Sequence, residues 1–131
     1  MSTATLSAPT SSLRRTTIVV GAVGAAATTL AAASFRGAGV HLAVHGRIPL
    51  AAFAQLTFLG ALLGGLLVAV LNRRSAVPRR RFFQFVVALT ALSCMAPAAG
   101  GDDAASKIGL IAIHLLAATI IAPVLARHTT R

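Results

Sequence analysis

A basic segment at residues 72–81 separates two long apolar runs, and this arrangement constrains the fold more than any other feature. The segment reads NRRSAVPRRR and holds five arginines in ten residues. Residues 49–71 before it and residues 82–99 after it carry no charged side chain. A helix rises about 1.5 Å per residue, so the 23 residues of the first run cross a hydrocarbon core of about 30 Å with some tilt. The pattern predicts two membrane-spanning helices joined by a short basic turn.

Two further uncharged runs, residues 17–34 and 108–126, complete a set of four predicted spans. The chain is 56% hydrophobic and 11% charged, whereas a soluble domain carries about 25% charged residues. Because the loops are short, consecutive helices must pack as antiparallel neighbours. An open sheet is excluded, since its edges would be unsatisfied in lipid. We therefore predict an all-α fold, a four-helix transmembrane up-down bundle.

The predicted domain organisation leaves no room for a soluble domain. Residues 1–16 are rich in Ser, Thr and Ala and are expected to form a disordered cytoplasmic tail. The membrane domain takes residues 17–127, and residues 128–131 form a second cytoplasmic tail. Asp102 and Asp103 lie just before the fourth span, where a carboxylate suits the N-terminus of a helix.

The first span has a second interpretation. Residues 14–33 imitate a signal peptide, with twin arginines, an apolar run and small residues of the kind found at cleavage sites. However, the uncharged run is as long as a full span, whereas the core of a signal peptide has about 7–15 residues. We therefore favour a retained helix, with a cleaved signal as the alternative.

The distribution of basic residues predicts the orientation. If residues 72–81 face the cytoplasm, nine arginines lie on that side, against two arginines and one lysine outside. Cytoplasmic loops carry the excess of Lys and Arg, so both termini are expected in the cytoplasm and the protein in the plasma membrane. The residues expected to set the topology are Arg73, Arg74, Arg79, Arg80 and Arg81.

The net charge of +10 also bears on partners. In a soluble protein this charge would indicate nucleic-acid binding. Here the arginines lie at the ends of apolar runs, where they meet anionic lipid head groups. We therefore expect anionic lipid at the cytoplasmic face and no nucleic acid.

Small residues in the second span predict close helix packing. Gly60 and Gly64, and Ala61 and Gly65, are each four residues apart and form two overlapping stripes on which another helix backbone can approach closely. We favour contact within the bundle for the glycines. A homodimer seam, or contact with a larger membrane complex, is the alternative.

Polar residues within the spans predict one candidate site. Gln55 and His114 each lie six residues inside their span, about 9 Å below the outer boundary. Thr28, Ser93 and Cys94 lie at similar depth. Polar residues in spans tend to face the bundle interior and to pair, so we expect a polar cluster in the outer half of the bundle.

The role of this cluster is open between two interpretations. In the first, His114 is neutral and its ring N–H is satisfied by Gln55 or by a backbone carbonyl, which stabilises helix association. In the second, His114 belongs to a proton or ligand site, because ionisable groups in membranes are often functional. The first is the simpler.

The sequence gives little support for a metal, haem or catalytic site. His41 and His45 are four residues apart, but the glycines around them disfavour a helix and no third ligand is evident, so we expect no metal site. No Asp or Glu lies in a span, and one mid-span histidine cannot supply two axial haem ligands. We find no nucleophile–base pair and no nucleotide-binding motif. The sequence predicts a protein that is not an enzyme, with no catalytic, cofactor-binding or metal-binding residues.

Short motifs in a fixed order resemble a known group of proteins. They are Gly39-Val40, Leu71-Asn72-Arg73-Arg74, Pro97, Ile113-His114-Leu115, Ala122-Pro123 and Leu125-Ala126-Arg127. Over about residues 17–127 the chain resembles small actinobacterial four-span membrane proteins classified as a domain of unknown function. The resemblance implies a helical inner-membrane protein from a high-GC actinobacterium, and it implies no activity or site residues.

Two functions are consistent with these features. The first is a non-enzymatic accessory or structural subunit that packs against a larger complex. The second is a small oligomeric transporter or channel, with a polar path near His114 and Gln55. A single bundle of Ala- and Gly-rich helices encloses little space, so the second function requires oligomerisation.

Overall fold

The computed structural model describes residues 9–100 and 102–130, and within them the chain forms four helices. Each helix is long and apolar enough to cross a membrane. These elements confirm the predicted all-α, four-span bundle. The helices are α1 (Pro9–Gly37), α2 (Leu50–Arg74), α3 (Pro78–Gly100) and α4 (Ala104–Ala126).

The first helix begins eight residues before the predicted span. Residues 9–16, expected in a disordered tail, are helical, and residues 1–8 lie outside the described residues. Two features explain the extension. A proline is tolerated in the first turn of a helix because its missing N–H has no partner there. One turn later, Leu13 is buried in an apolar cluster with Val68 and Phe82, so packing stabilises this part of the helix.

The basic segment is largely helical, and the turn between α2 and α3 is confined to residues 75–77. The Ser75 N–H donates to the Leu71 carbonyl at 2.9 Å, and the Ser75 hydroxyl accepts from the Val77 N–H at 3.2 Å. Pro78 then starts α3 at a position where its fixed φ suits a helix. The arginines therefore extend from the last turn of one helix and the first turn of the next.

The helices run antiparallel but do not pack equally. α1 packs most extensively on α2, and α4 packs on both α1 and α3. Among the described residues, the backbones of α1 and α3 do not approach each other closely. α3 is the least buried, with 11% of its most apolar window inside the bundle, against 22–28% for the others. Much of the α3 surface is therefore left for lipid or for another protein.

The two ends of the bundle differ in structure. We call the end with the 75–77 turn and the residues after α4 the hinge end, and the end with residues 38–49 and 102–103 the loop end. At the loop end, Leu42 turns into the bundle and is fully buried against Phe53, Leu110 and Ile113. The α1–α2 loop is thus anchored by its own apolar side chain.

Polar contacts fasten the same loop to the start of α4. The Asp102 carboxylate accepts from the His45 N–H at 3.2 Å, and the Asp102 N–H donates to the Ala43 carbonyl at 3.4 Å. The buried Ser106 hydroxyl donates to the His41 carbonyl. Within the loop, Ala43 and Arg47 form an isolated antiparallel bridge. The α1–α2 loop is therefore an ordered segment held against the start of α4.

Candidate functional site

The clearest polar contact between helices joins Thr28 of α1 to Thr57 of α2. Thr28 is fully buried, and its Oγ1 lies 2.9 Å from Thr57 Oγ1. The Thr28 hydroxyl also donates to the Ala25 carbonyl at 3.2 Å. With the Thr28 proton on Ala25, Thr57 is the donor of the pair. Thr57 was missed in the sequence, although a hydroxyl at the same depth as Thr28 on the neighbouring span was a usable signal.

His114 is satisfied by its own helix. It is half-buried, and its Nδ1 lies 2.8 Å from the Leu110 carbonyl. Because a carbonyl only accepts, Nδ1 carries a proton and donates it to Leu110. Of the two partners expected for this histidine, the structure provides the backbone carbonyl.

Gln55 faces away from the bundle. Its side chain is exposed on α2, and its amide makes no hydrogen bond to His114 or to any other described residue. The reason is geometric. Residues two positions apart on a helix are separated by about 200° around its axis, so a helix that turns Thr57 toward α1 turns Gln55 outward.

The other two residues of the expected cluster are also separate. Ser93 is exposed on α3, and the Cys94 thiol is free and half-buried. Among the described residues, the structure joins Thr28 to a side chain that was not predicted, and it joins none of the five expected cluster residues to one another. No group of three His, Cys, Asp or Glu side chains suited to a metal ion occurs in residues 9–100 and 102–130.

Gln55 is part of an exposed apolar face. Leu59, Leu62 and Leu66 follow it at spacings of four, three and four residues, which places all four side chains on one side of α2. The exposed fractions of the three leucines are 51%, 39% and 61%. We call these four residues the Gln55 face.

The glycines of α2 divide between the bundle and its surface. A Cβ on Gly65 would overlap the Thr17 side chain, 2.7 Å from its Cγ2, and a Cβ on Gly64 would lie 2.9 Å from Leu125 Cδ1. These two glycines therefore pack against α1 and α4. A Cβ on Gly60 would meet nothing within 4 Å among the described residues.

The five arginines expected to set the topology are all exposed at the hinge end. Arg14, Arg15 and Arg127 are exposed at this end too, whereas Asp102 and Asp103 lie at the loop end. Arg131, one of the nine arginines predicted to lie on the cytoplasmic side, is outside the described residues. The hinge end is therefore strongly cationic, and its arginines have no carboxylate of this chain beside them in the described part.

The loop end contains a cationic pocket of about 190 Å³ that the sequence did not suggest. Three basic side chains, Arg36, His41 and Arg47, line it together with Gly39, Val40 and Leu42. The Nε and Nη2 atoms of Arg36 are buried and have no acceptor among the described residues. A usable signal was the occurrence of these three basic residues within twelve positions around a glycine-containing loop.

Asp103 interacts electrostatically with His41, one of the residues that line this pocket. Its carboxylate caps α4 by accepting from the Ser106 N–H at 2.9 Å. The Ser106 side chain, then the Ser106 backbone N–H, hold the pKa of Asp103 below its usual range, and nearby His41 adds to the effect. Asp103 does not line the pocket.

A family model described as a family of unknown function, DUF6069, matches residues 8–131. The chain belongs to this family. The expected membership in a family of unknown function is thereby confirmed, and the four apolar helices of this chain fit the expected four-span protein. The DUF6069 match includes all four helices, the Gln55 face and the cationic pocket. Comparisons with curated proteins and with solved structures found no match.

Proposed function

We propose that this chain is a non-enzymatic accessory subunit, which packs through the Gln55 face against a transmembrane helix of a larger membrane complex. The observation that carries the proposal is the exposed Gln55 amide, about one and a half turns inside α2. An unsatisfied polar group in hydrocarbon costs several kcal/mol. A partner helix with a hydrogen-bonding side chain at the same depth removes that cost.

The rest of the face suits such a partner. Leu59, Leu62 and Leu66 continue the same side of α2 toward the hinge end and are all exposed. Apolar contact with lipid is about as favourable as contact with a helix, so the leucines supply shape and area, and the amide supplies the preference for one partner. Gln55 therefore determines the specificity of the interface.

Site-specific photocrosslinking in native membranes tests this function. A photoreactive amino acid at Leu59 should capture one heterologous membrane protein, whereas the same probe at Leu92, 63% exposed on α3, should not. Gln55→Leu should lower the yield of the Leu59 adduct severalfold, because the hydrogen bond from the Gln55 amide to the partner helix is lost. Equal yields with and without Gln55, or no adduct at all, would contradict the proposal.

A small oligomeric transporter or channel is the second candidate. The observation that favours it is His114, a half-buried ionisable side chain within a span, whose Nδ1 bonds the Leu110 carbonyl and leaves Nε2 for a second contact. It receives less support, since Gln55 and His114 do not share a hydrogen-bonded site in the described residues. Adducts of two or more copies of this chain through Leu59 would favour it over an accessory subunit.

We also propose that both termini are cytoplasmic, in the plasma membrane, with the hinge end against anionic head groups. Eight described arginines lie exposed at that end, against Arg36, Arg47 and Lys107 at the other. A fluorescent protein that folds only in the cytoplasm should be bright when fused after the last residue. The same reporter inserted after Gly46 should be dark, and the reverse pattern would contradict the orientation.

A further inference from the structure

The cationic pocket at the loop end has three basic side chains and no carboxylate in its lining. Arg36 and Arg47 bring two full positive charges, and His41 adds a third basic group. Neither acid at this end lines the pocket: Asp102 accepts from the His45 N–H and Asp103 from the Ser106 N–H. Asp103 also interacts electrostatically with His41. No ion pair joins Arg36 or Arg47 to a carboxylate within residues 9–100 and 102–130.

The Arg36 guanidinium shows which ligand fits. Its two buried nitrogens without an acceptor are Nε and Nη2. These form the side edge of the guanidinium, where two parallel N–H groups match two oxygens of one oxyanion. Buried polar groups in proteins almost always have partners, and an exception calls for an ion or a water. An oxyanion supplies both acceptors at once and also offsets the buried charge.

The shape and place of the pocket favour a phosphate group over a carboxylate. Three basic side chains from both ends of the loop can meet several oxygens of a tetrahedral phosphate, whereas a planar carboxylate offers two. A volume of about 190 Å³ equals that of several water molecules at about 30 Å³ each. Arg36 also lies in the last turn of a helix long enough to span a membrane. The pocket is therefore at the level of the lipid head groups.

We propose that Arg36, His41 and Arg47 form a binding site for a phosphate group, supplied by an anionic phospholipid head group or by free phosphate. Arg36 holds two oxygens through its side edge once its side chain turns from its buried position toward the pocket. The exposed side chains of His41 and Arg47 approach the remaining oxygens. The α1–α2 loop keeps this arrangement because Leu42 is buried beneath it and Ser106 holds the His41 carbonyl. The site is independent of the Gln55 face.

The test uses the full chain in nanodiscs and separates the two sources of phosphate. One arm titrates inorganic phosphate into protein in phosphatidylcholine nanodiscs and follows binding by calorimetry. The other arm uses nanodiscs with phosphatidylglycerol and counts retained lipid by native mass spectrometry. Binding in either arm supports the site and identifies its source. Absence of binding in both arms would overturn it.

Variants link the binding to the pocket. Arg36→Gln should weaken binding by about tenfold or more, since a hydrogen-bonded charge is lost. Arg36→Lys should recover part of the affinity, because charge returns without the bidentate edge. Lys107→Gln, which changes one cation at the same end outside the pocket, should leave binding within about twofold. Equal losses in Arg36→Gln and Lys107→Gln would indicate general charge attraction and would overturn the proposal.

A second substitution guards against a folding defect. Arg47 is exposed, so Arg47→Gln should leave the thermal unfolding midpoint unchanged while weakening binding severalfold. If Arg36→Gln lowers the midpoint, the Arg47→Gln result decides, and unchanged binding in that variant would overturn the assignment.

Discussion

The side-chain amide of Asn72, in the last turn of α2, donates a hydrogen bond of 2.9 Å to the backbone carbonyl of His128, just after α4. The same amide accepts from the Thr130 N–H at 3.0 Å. One side chain thus holds the C-terminal segment across the hinge end, 56 residues away in the chain. Because both bonds go to backbone groups, they depend on Asn72 and tolerate changes in the residues after α4.

Loss of this contact should loosen the C-terminal segment. Asn72→Ala removes both bonds and should lower the free energy of unfolding by about 1–2 kcal/mol. Asn72→Asp keeps the acceptor for Thr130 but sets a carboxylate against the His128 carbonyl, so it should be no better. Limited proteolysis after Arg127 should be faster in both. Arg73→Ala, which changes the exposed neighbour, should behave as wild type, and faster cleavage in that variant would contradict the role of Asn72.

The two glycine environments of α2 predict opposite effects of one substitution. Gly65→Ala places a Cβ against Thr17 and should destabilise the bundle by about 1–3 kcal/mol. Gly60→Ala meets open space and should be neutral or stabilising by up to about 1 kcal/mol, since alanine is the better helix former. Unfolding of the monomer in detergent measures both changes.

A rescue variant shows that the steric contact is the cause. Thr17→Ala shortens the side chain that the new Cβ would meet, so Gly65→Ala combined with Thr17→Ala should recover part of the lost stability. If Gly60→Ala destabilises the monomer as much as Gly65→Ala does, the assignment of Gly65 to the bundle interior and of Gly60 to its surface is incorrect.

The Thr28–Thr57 hydrogen bond should couple α1 to α2 by a modest amount. Hydrogen bonds between membrane helices contribute about 0.6 kcal/mol on average. A double-mutant cycle with Thr28→Val and Thr57→Val should give a coupling free energy of about 0.5–1 kcal/mol. Valine preserves the shape, so packing changes are small. Thr119, whose hydroxyl donates to the Leu116 carbonyl of its own helix, should show no coupling to Thr57.

The Asp103 cap predicts a dependence of stability on pH. The folded state holds the pKa of Asp103 below the ordinary value of 3.8. A group with a depressed pKa in the folded state stabilises that state above its unfolded pKa, and the contribution is lost as the pH falls through the folded pKa. Stability should therefore decrease as the pH drops below about 4.

Asp103→Asn keeps an acceptor for the Ser106 N–H without the titrating charge. This variant should reduce the loss of stability at low pH while leaving stability near neutral pH largely intact. Asp103→Ala should lose the cap at every pH. Unfolding midpoints measured against pH in an uncharged detergent report both effects. His41 acts on Asp103 as well, so the comparison is repeated in a His41→Gln background. If Asp103→Asn loses as much stability at low pH as the wild type, the Asp103 cap is not the cause of that loss.

Parts of the polar site could be read from the sequence, and parts could not. The depth of Thr28, Gln55 and His114 follows from counting residues along each span. The side of the helix that each residue faces does not follow from this count. Thr57 and Gln55 are two positions apart on the same helix, so only one of them can face α1. The aspartate cap of α4 was predictable, since a cap depends on neighbouring residues alone.

The amino-acid sequence by itself determined the number, order and approximate limits of the helices, and membership in a family of unknown function. The physical reason is that a span must satisfy its backbone within one long apolar run, which is visible along the chain. Only the tertiary structure decided the rotation of each helix, the Asn72 contact with His128 and the pocket around Arg36. Lipid-facing and bundle-facing positions are both apolar, so the pattern that reveals the buried face of a soluble helix is missing.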